Sequence, residues 1–223
     1  MGTVHAAGPA WTDAYEDLTR ADRAAPLPPE DLERLATAAY MLGRDEDYHG
    51  GLERAHQAYL DRGEGLRAAR CGFWLGLNLM LQGETGRATG WMGRAQRLVE
   101  REGRDCVERG YLLLPAMFRH EATGDLDAAA ATAGEAGAIG ERFGDRDLFA
   151  LCAQAQGSYL VLQGRAADGL ALLDEAMVAV AAGELSPIVS GLVYCGVILG
   201  CQAAYEPRRA YEWTTALTQW CEQ

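Results

Sequence analysis

Four short segments, Leu42-Gly43-Arg44, Gln82-Gly83-Glu84, Thr123-Gly124-Asp125 and Gln163-Gly164-Arg165, set their glycines 40, 41 and 40 residues apart. A fifth segment, Tyr205-Glu206-Pro207, begins 41 residues after Gly164. Self-similarity at one period of this size marks repeated supersecondary units that bury their apolar faces against one another. Each turn follows an apolar helical stretch and precedes an amphipathic one. Glycine suits a helix C-terminus because it takes a left-handed backbone at little cost.

The residues around the turns keep the same register. Five positions after each turn stand Tyr48, Ala88, Ala129, Gly169 and Ala210; twelve positions after stand Ala55, Ala95, Ala136, Ala176 and Leu217. Mostly small residues at fixed offsets let neighbouring helices approach closely. The pattern predicts eleven helices, near 10–24, 30–42, 45–62, 65–82, 85–102, 105–122, 126–143, 146–163, 166–182, 187–204 and 207–222. Asp145 and Ser186 stand at N-cap positions, Ser186 followed by Pro187 at the first helical position. No stretch alternates as a half-buried strand requires. Pro26, Pro28 and Pro29 separate the first helix from the first full pair. Residues 1–28 are expected to form an N-terminal segment and helix, and residues 29–223 a repeat domain continuous with it.

Composition removes several chemistries. The chain of 223 residues has no lysine, so all 20 basic residues are arginine. That excludes a Walker A loop, a Schiff base and a lysine general base. The net charge of −12 disfavours phosphate backbones, so no direct nucleic-acid binding by this chain is expected. The six cysteines, at 71, 106, 152, 195, 201 and 221, form no CxxC pair. They are expected to be free thiols, mostly buried, in a cytoplasmic protein. Met1–Pro9 has neither a basic start nor an apolar run, so no signal peptide is expected. Leu185–Tyr205 carries no charged residue and holds a Gly196/Gly200 spacing, but Ser186, Pro187, Ser190 and Gln202 dilute it. It is expected to be a buried core helix and not a membrane span.

The Leu75-Gly76 pair, the turn glycine and the small residues that follow resemble tetratricopeptide repeats, which the 40–41-residue period lengthens by about a turn per helix. The resemblance implies an all-α fold, a right-handed superhelical stack of about five TPR-like helix pairs. Longer strings resemble the helical-repeat region of LuxR-type transcriptional regulators of actinobacteria. They are Asp31–Tyr40, Ala69–Gly76, Val107–Leu113, Ile139–Asp145 and Ser186–Val189, which together span most of the chain from Asp31. That resemblance implies a regulatory role beside a DNA-binding helix-turn-helix. No basic helix-turn-helix lies within these residues, so DNA binding is not carried over.

No other motif rises to a reaction. Glu53-x-x-His56 has di-iron bundle spacing, but one copy is too few, and both residues are expected at the surface. His5, His49 and His120 have no ligand pattern around them. Gly134, Gly137 and Gly140 lie within a helix without a preceding strand, which points to close helix packing and not to a dinucleotide loop. No GxSxG elbow occurs. No catalytic residue, metal or cofactor is expected.

In a stack of helix pairs the first helix of each pair lines the concave face. Aligned on the turn glycines, that face carries Arg70, Phe73, Leu77 and Met80 in the second pair, and Tyr111, Leu114, Phe118 and Glu121 in the third. Gln154, Ser158 and Val161 follow in the fourth, then Cys195, Leu199 and Gln202 in the fifth. This mixture suits a peptide or protein partner, or a largely apolar small molecule held by a few hydrogen bonds. Trp74 and Tyr159 are expected between helices. Arg70, amid Phe73 and Trp74, needs a partner, with Glu121 or a ligand carboxylate as candidates. Trp213, Leu217 and Trp220 give the last helix an apolar face open to a second copy of the chain or to the rest of a longer regulator. A closed apolar cavity around Phe73, Leu114 and Phe118 would favour a small-molecule sensor, and an open groove with exposed side chains would favour a peptide or protein partner.

Overall fold

The computed structural model describes residues 8–222. His5 and most of the segment weighed as a signal peptide lie outside them. Among the described residues there are twelve α-helices and no strand: α1 (Gly8–Ala24), α2 (Pro29–Met41), α3 (Asp45–Asp61), α4 (Gly65–Leu81), α5 (Thr85–Glu102), α6 (Glu108–Tyr111), α7 (Leu114–Ala122), α8 (Leu126–Phe143), α9 (Arg146–Leu162), α10 (Ala166–Ala181), α11 (Pro187–Ala203) and α12 (Pro207–Glu222). The helix expected over 105–122 is two helices. Pro115 cannot donate to the carbonyl four residues back and its ring clashes there, so helical bonding stops before it and restarts at Leu114. Gly103–Val107 is not helical either.

Nine residues close helices in the left-handed region: Gly43, Gly63, Gly83, Gly103, Gly124, Gly144, Gly164, Gly183 and Tyr205, at φ between 57° and 84°. They recur about every 20 residues, half the period read from the sequence, because both ends of each helix pair use the same device. At all of them except Gly103, the amide after the left-handed residue bonds the carbonyl five residues back, as Arg44 does to Ala39 at 2.9 Å and Glu206 to Cys201 at 2.9 Å. This Schellman bond satisfies a carbonyl that the helix end would orphan. Asp125 and Asp145 then cap the next helix through Ala128 and Leu148. Ser186 holds the extended N-cap backbone before Pro187, but its hydroxyl makes no cap bond; its amide instead donates to Asp147 at 2.8 Å.

The chain forms two compact units, Met1–Glu108 and Arg109–Gln223, and the first of them includes α1, which packs on α2. Within the first unit α2 to α5 pack successively. Its core holds Leu32, Ala36, Tyr48, Ala55, Tyr59, Phe73, Leu75, Leu79 and Ala95, all nearly inaccessible. In the second unit α9 is central: it packs on α8, α10 and α11, with α7 against α8 and α12 against α11. Leu148, Tyr159, Leu173, Met177, Val189, Val193 and Val197 form that core. The uncharged helix α11 buries one face in it and leaves Cys195, Leu199 and Gln202 exposed, and no helix among the described residues is long and apolar enough to cross a membrane.

Small residues set the spacing of these helices. A Cβ at Gly169 would sit 2.5 Å from the carbonyl oxygen of Gly157, and one at Gly157 would sit 2.8 Å from that of Gly169, so α9 and α10 touch backbone to backbone. Gly134, Gly137 and Gly140 line the contact of α8 with α9, facing Gln156, Cys152 and Phe149. Adding a methyl at such a site costs about 1–3 kcal/mol through forced backbone shifts. At an open helical site it gains about 1 kcal/mol. Urea denaturation should therefore show Gly169→Ala destabilised by about 1–3 kcal/mol. Gly90→Ala, on a face of α5 with nothing near it, should be stabilised by about 0.5–1 kcal/mol.

His56 is buried, contrary to the surface position expected, while Glu53 is exposed. Its Nδ1 lies 2.7 Å from the Ala68 carbonyl, the Trp91 ring stands edge-on at 5.1 Å, and Nε2 has no hydrogen-bond partner among the described residues. Burial pushes the imidazole pKa below its ordinary value, the Ala68 bond opposes this, and Arg94 adds to it. Above the unfolded value near 6.5 both states are neutral and the group contributes no pH dependence. Below it the unfolded chain takes a proton that the folded chain resists, so stability falls as pH falls. Between pH about 7.5 and 5.5 the wild type should lose stability that His56→Leu does not lose, as compared by denaturant titration.

Candidate functional site

The second unit carries a cleft of about 340 Å³ across α7, α9 and α11. Each helix presents one face to it. From α7 come Phe118 and Glu121, three residues apart; from α9 come Gln154, Ser158, Tyr159 and Leu162; from α11 come Gly196, Leu199, Gly200 and Ala203. The α11 side is made by what is missing. A Cβ at 196 would collide with the Gln154 amide, and a Cβ at 200 would lie 2.6 Å from Leu173 and 3.3 Å from the Ser158 hydroxyl. Two glycines one helical turn apart thus let α9 side chains lie against the α11 backbone.

The polar groups are tied together. Gln154 Nε2 donates to Ser158 Oγ at 2.9 Å, and the Tyr159 hydroxyl donates to Glu121 Oε2 at 2.9 Å. Burial first, then that bond, drives the Tyr159 pKa up, so the phenol stays protonated. Glu121 is the one formally charged residue of the lining. Leu162 and Leu199 are 55% and 64% exposed, so the cleft opens to solvent between aliphatic edges. The site can hold an apolar group and offer a carboxylate and an amide to a donor. Among the described residues no group of histidine, cysteine and acidic side chains could hold a metal ion.

Counting back from the turn glycines places Phe118, Glu121, Gln154, Ser158 and Leu199 together in this cleft. Other residues assigned to the groove lie elsewhere. Phe73, Leu77, Tyr111 and Leu114 are inside the helix packing at 1–5% exposure, and Val161 is buried against Gly169. Met80 is half-buried, and Cys195 and Gln202 are exposed outside the lining. Arg70 is not paired with Glu121: its Nη2 meets Glu108 Oε1 at 3.0 Å within the first unit, with both side chains largely buried. Tyr159 packs between helices as expected, and Trp74 is half-buried edge-on to Phe73. Trp213, Leu217 and Trp220 are half-buried, Trp220 lying 6.1 Å from the Tyr194 ring on α11. The turn-glycine register does not reach Ala155, Leu162, Gly196, Gly200 and Ala203. The Gly196/Gly200 spacing was the signal, weighed only as a membrane motif.

No protein-family model matches this chain, and no curated protein matches it significantly.

The Arg70–Glu108 pair holds the end of the first unit. Arg70→Met leaves Glu108 without this cation in a largely buried place, which should cost about 2 kcal/mol in urea denaturation. Adding Glu108→Gln should recover part of that loss, as a double-mutant cycle measures.

Proposed function

We propose that this chain is a non-enzymatic binding module, built as a TPR-like stack of helix pairs, whose α7–α9–α11 cleft receives a segment of a peptide or protein partner. The observation that carries this reading is the open cleft itself. Three first helices contribute one mixed face, with aliphatic edges exposed and the polar groups already bonded to one another. An extended segment can lay apolar side chains on Phe118, Leu162 and Leu199 while Glu121 and Gln154 take its donors. The strings resembling LuxR-type regulators support reading the module as the regulatory or protein-interaction part of such a regulator, acting in the cytoplasm without binding nucleic acid or membrane. A second copy of the chain is one partner this reading admits, through the half-covered face of Trp213, Leu217 and Trp220.

A small-molecule sensor is the second reading, favoured by the cleft's volume, which lies in the range of small-ligand sites. Its ligand is largely apolar and shifts how neighbouring helix pairs pack.

Selection of a displayed random-peptide library on the full chain, run beside a thermal-shift screen of small amphiphiles, separates the two readings. Peptides enriched by the library support the partner reading, and stabilisation by amphiphiles alone supports the sensor. Leu162→Ser and Leu199→Ser change exposed positions, so each should leave stability within about 0.5 kcal/mol. Each should weaken the selected ligand by about tenfold. Unchanged affinity in both variants would show that the cleft is not the site.

A further inference from the structure

The first unit holds a second cleft, of about 490 Å³, between one face of α1 and the turn joining α2 to α3. Three arginines reach it: Arg20 and Arg23 from α1, and Arg44 from the turn. Glu16 is the only carboxylate of the lining, while Asp17 and Asp47 stand beside it against Arg20 and Arg44, in a chain whose net charge is −12. Thr12 and Thr19 add two hydroxyl donors on the same α1 face.

The cleft is held in shape by contacts around it. Asp22 on α1 takes both Nη atoms of Arg54 at 2.7 and 2.6 Å, which sets the rotation of α1 against α3. The Tyr15 hydroxyl donates to Asp47 at 2.7 Å, and the Arg44 guanidinium stacks 4.5 Å from the Tyr15 ring centroid. Arg44 approaches the Asp47 carboxylate only to 3.9 Å, so its donors are not consumed there. Arg20 pairs with Asp17 at 2.9 Å with both side chains exposed, a pair worth little in water. Arg23 has no carboxylate within ion-pair distance among the described residues.

We propose that this cleft binds a small organic anion through a phosphate or carboxylate group, with Arg23 and Arg44 as its principal contacts. Guanidinium forks match both groups in bidentate geometry. The stacking of Arg44 on Tyr15 removes part of the ordering cost of binding. Thr12 and Thr19 take the remaining acceptor oxygens. The cleft's volume leaves room for an organic body beyond the charged group. This site lies in the first unit and is independent of the α7–α9–α11 cleft.

Calorimetric titration of the full chain at low ionic strength with inorganic pyrophosphate and, separately, with citrate tests the proposal. Saturable one-to-one binding of pyrophosphate alone assigns a phosphate group, of citrate alone a carboxylate group, and of both a general anion site. Raising the salt should weaken any of these. Arg23→Gln and Arg44→Gln should each weaken binding by about tenfold. Arg34→Gln, an exposed residue paired with Asp31 outside the cleft, should leave binding unchanged. No saturable binding of either probe up to about 10 mM would overturn the proposal. So would full affinity in Arg23→Gln, a change at an exposed side chain with no ion pair among the described residues.

Discussion

The left-handed residue that closes each long helix from α2 to α11, α7 aside from its shorter length, is the constraint on which the rest depends. Everywhere except at Gly103 its Schellman bond reverses the chain within two to five residues, and the next helix begins before the chain can move away. Within each unit successive helices are therefore brought together, and antiparallel, as α4 is with α5 where Gly72 faces Ala95 and Gly76 faces Ala88, and α8 with α9 where Gly134 faces Gln156 and Gly140 faces Phe149. Tyr205 occupies the same conformation at φ 57° before α12 without glycine's freedom, which shows that the turn is imposed by the register of the helices around it and not by residue type alone.

Antiparallel contact through short turns makes the width of the residues between helices decisive. Where α9 meets α10 the space is that of two peptide groups, and only Gly157 and Gly169 fit. The same rule makes the cleft. Gly196 and Gly200 let Gln154 and Ser158 lie on the α11 backbone, and the missing side chains leave room bordered by Phe118, Leu162 and Leu199. Packing and binding geometry are thus one consequence of where the small residues fall.

Electrostatics follow the same division between covered and open ground. With no lysine, ion pairing falls to arginine. In the first unit Arg70 meets Glu108 in a largely buried pair, and Arg62 and Arg67 share Glu30 at the surface. Tyrosine hydroxyls serve as the internal donors to carboxylates: Tyr59 to Glu33, Tyr111 to Asp145 and Tyr159 to Glu121. Two of these bonds join two helices and the Tyr111 bond ties α6 to the N-cap of α9, so these polar groups add register to contacts that apolar packing alone leaves free to slide.

Periodicity in the sequence determined the helices and their turns, because a turn glycine and an amphipathic stretch are local signals. Counting from those glycines also identified Phe118, Glu121, Gln154, Ser158 and Leu199 as one face, since α7, α9 and α11 share that register. It failed for Phe73 and Leu77, because Gly72–Leu81 is apolar all round except at Asn78 and one buried face looks like another. Tyr111 and Leu114 escaped it because Pro115 breaks their helix and turns them inward. Only the tertiary structure decided the burial of His56 under Trp91, the pairing of Arg70 with Glu108 and the division near residue 108. Each depends on which distant side chain arrives opposite a given position, and the spacing of residues along a chain carries no record of that.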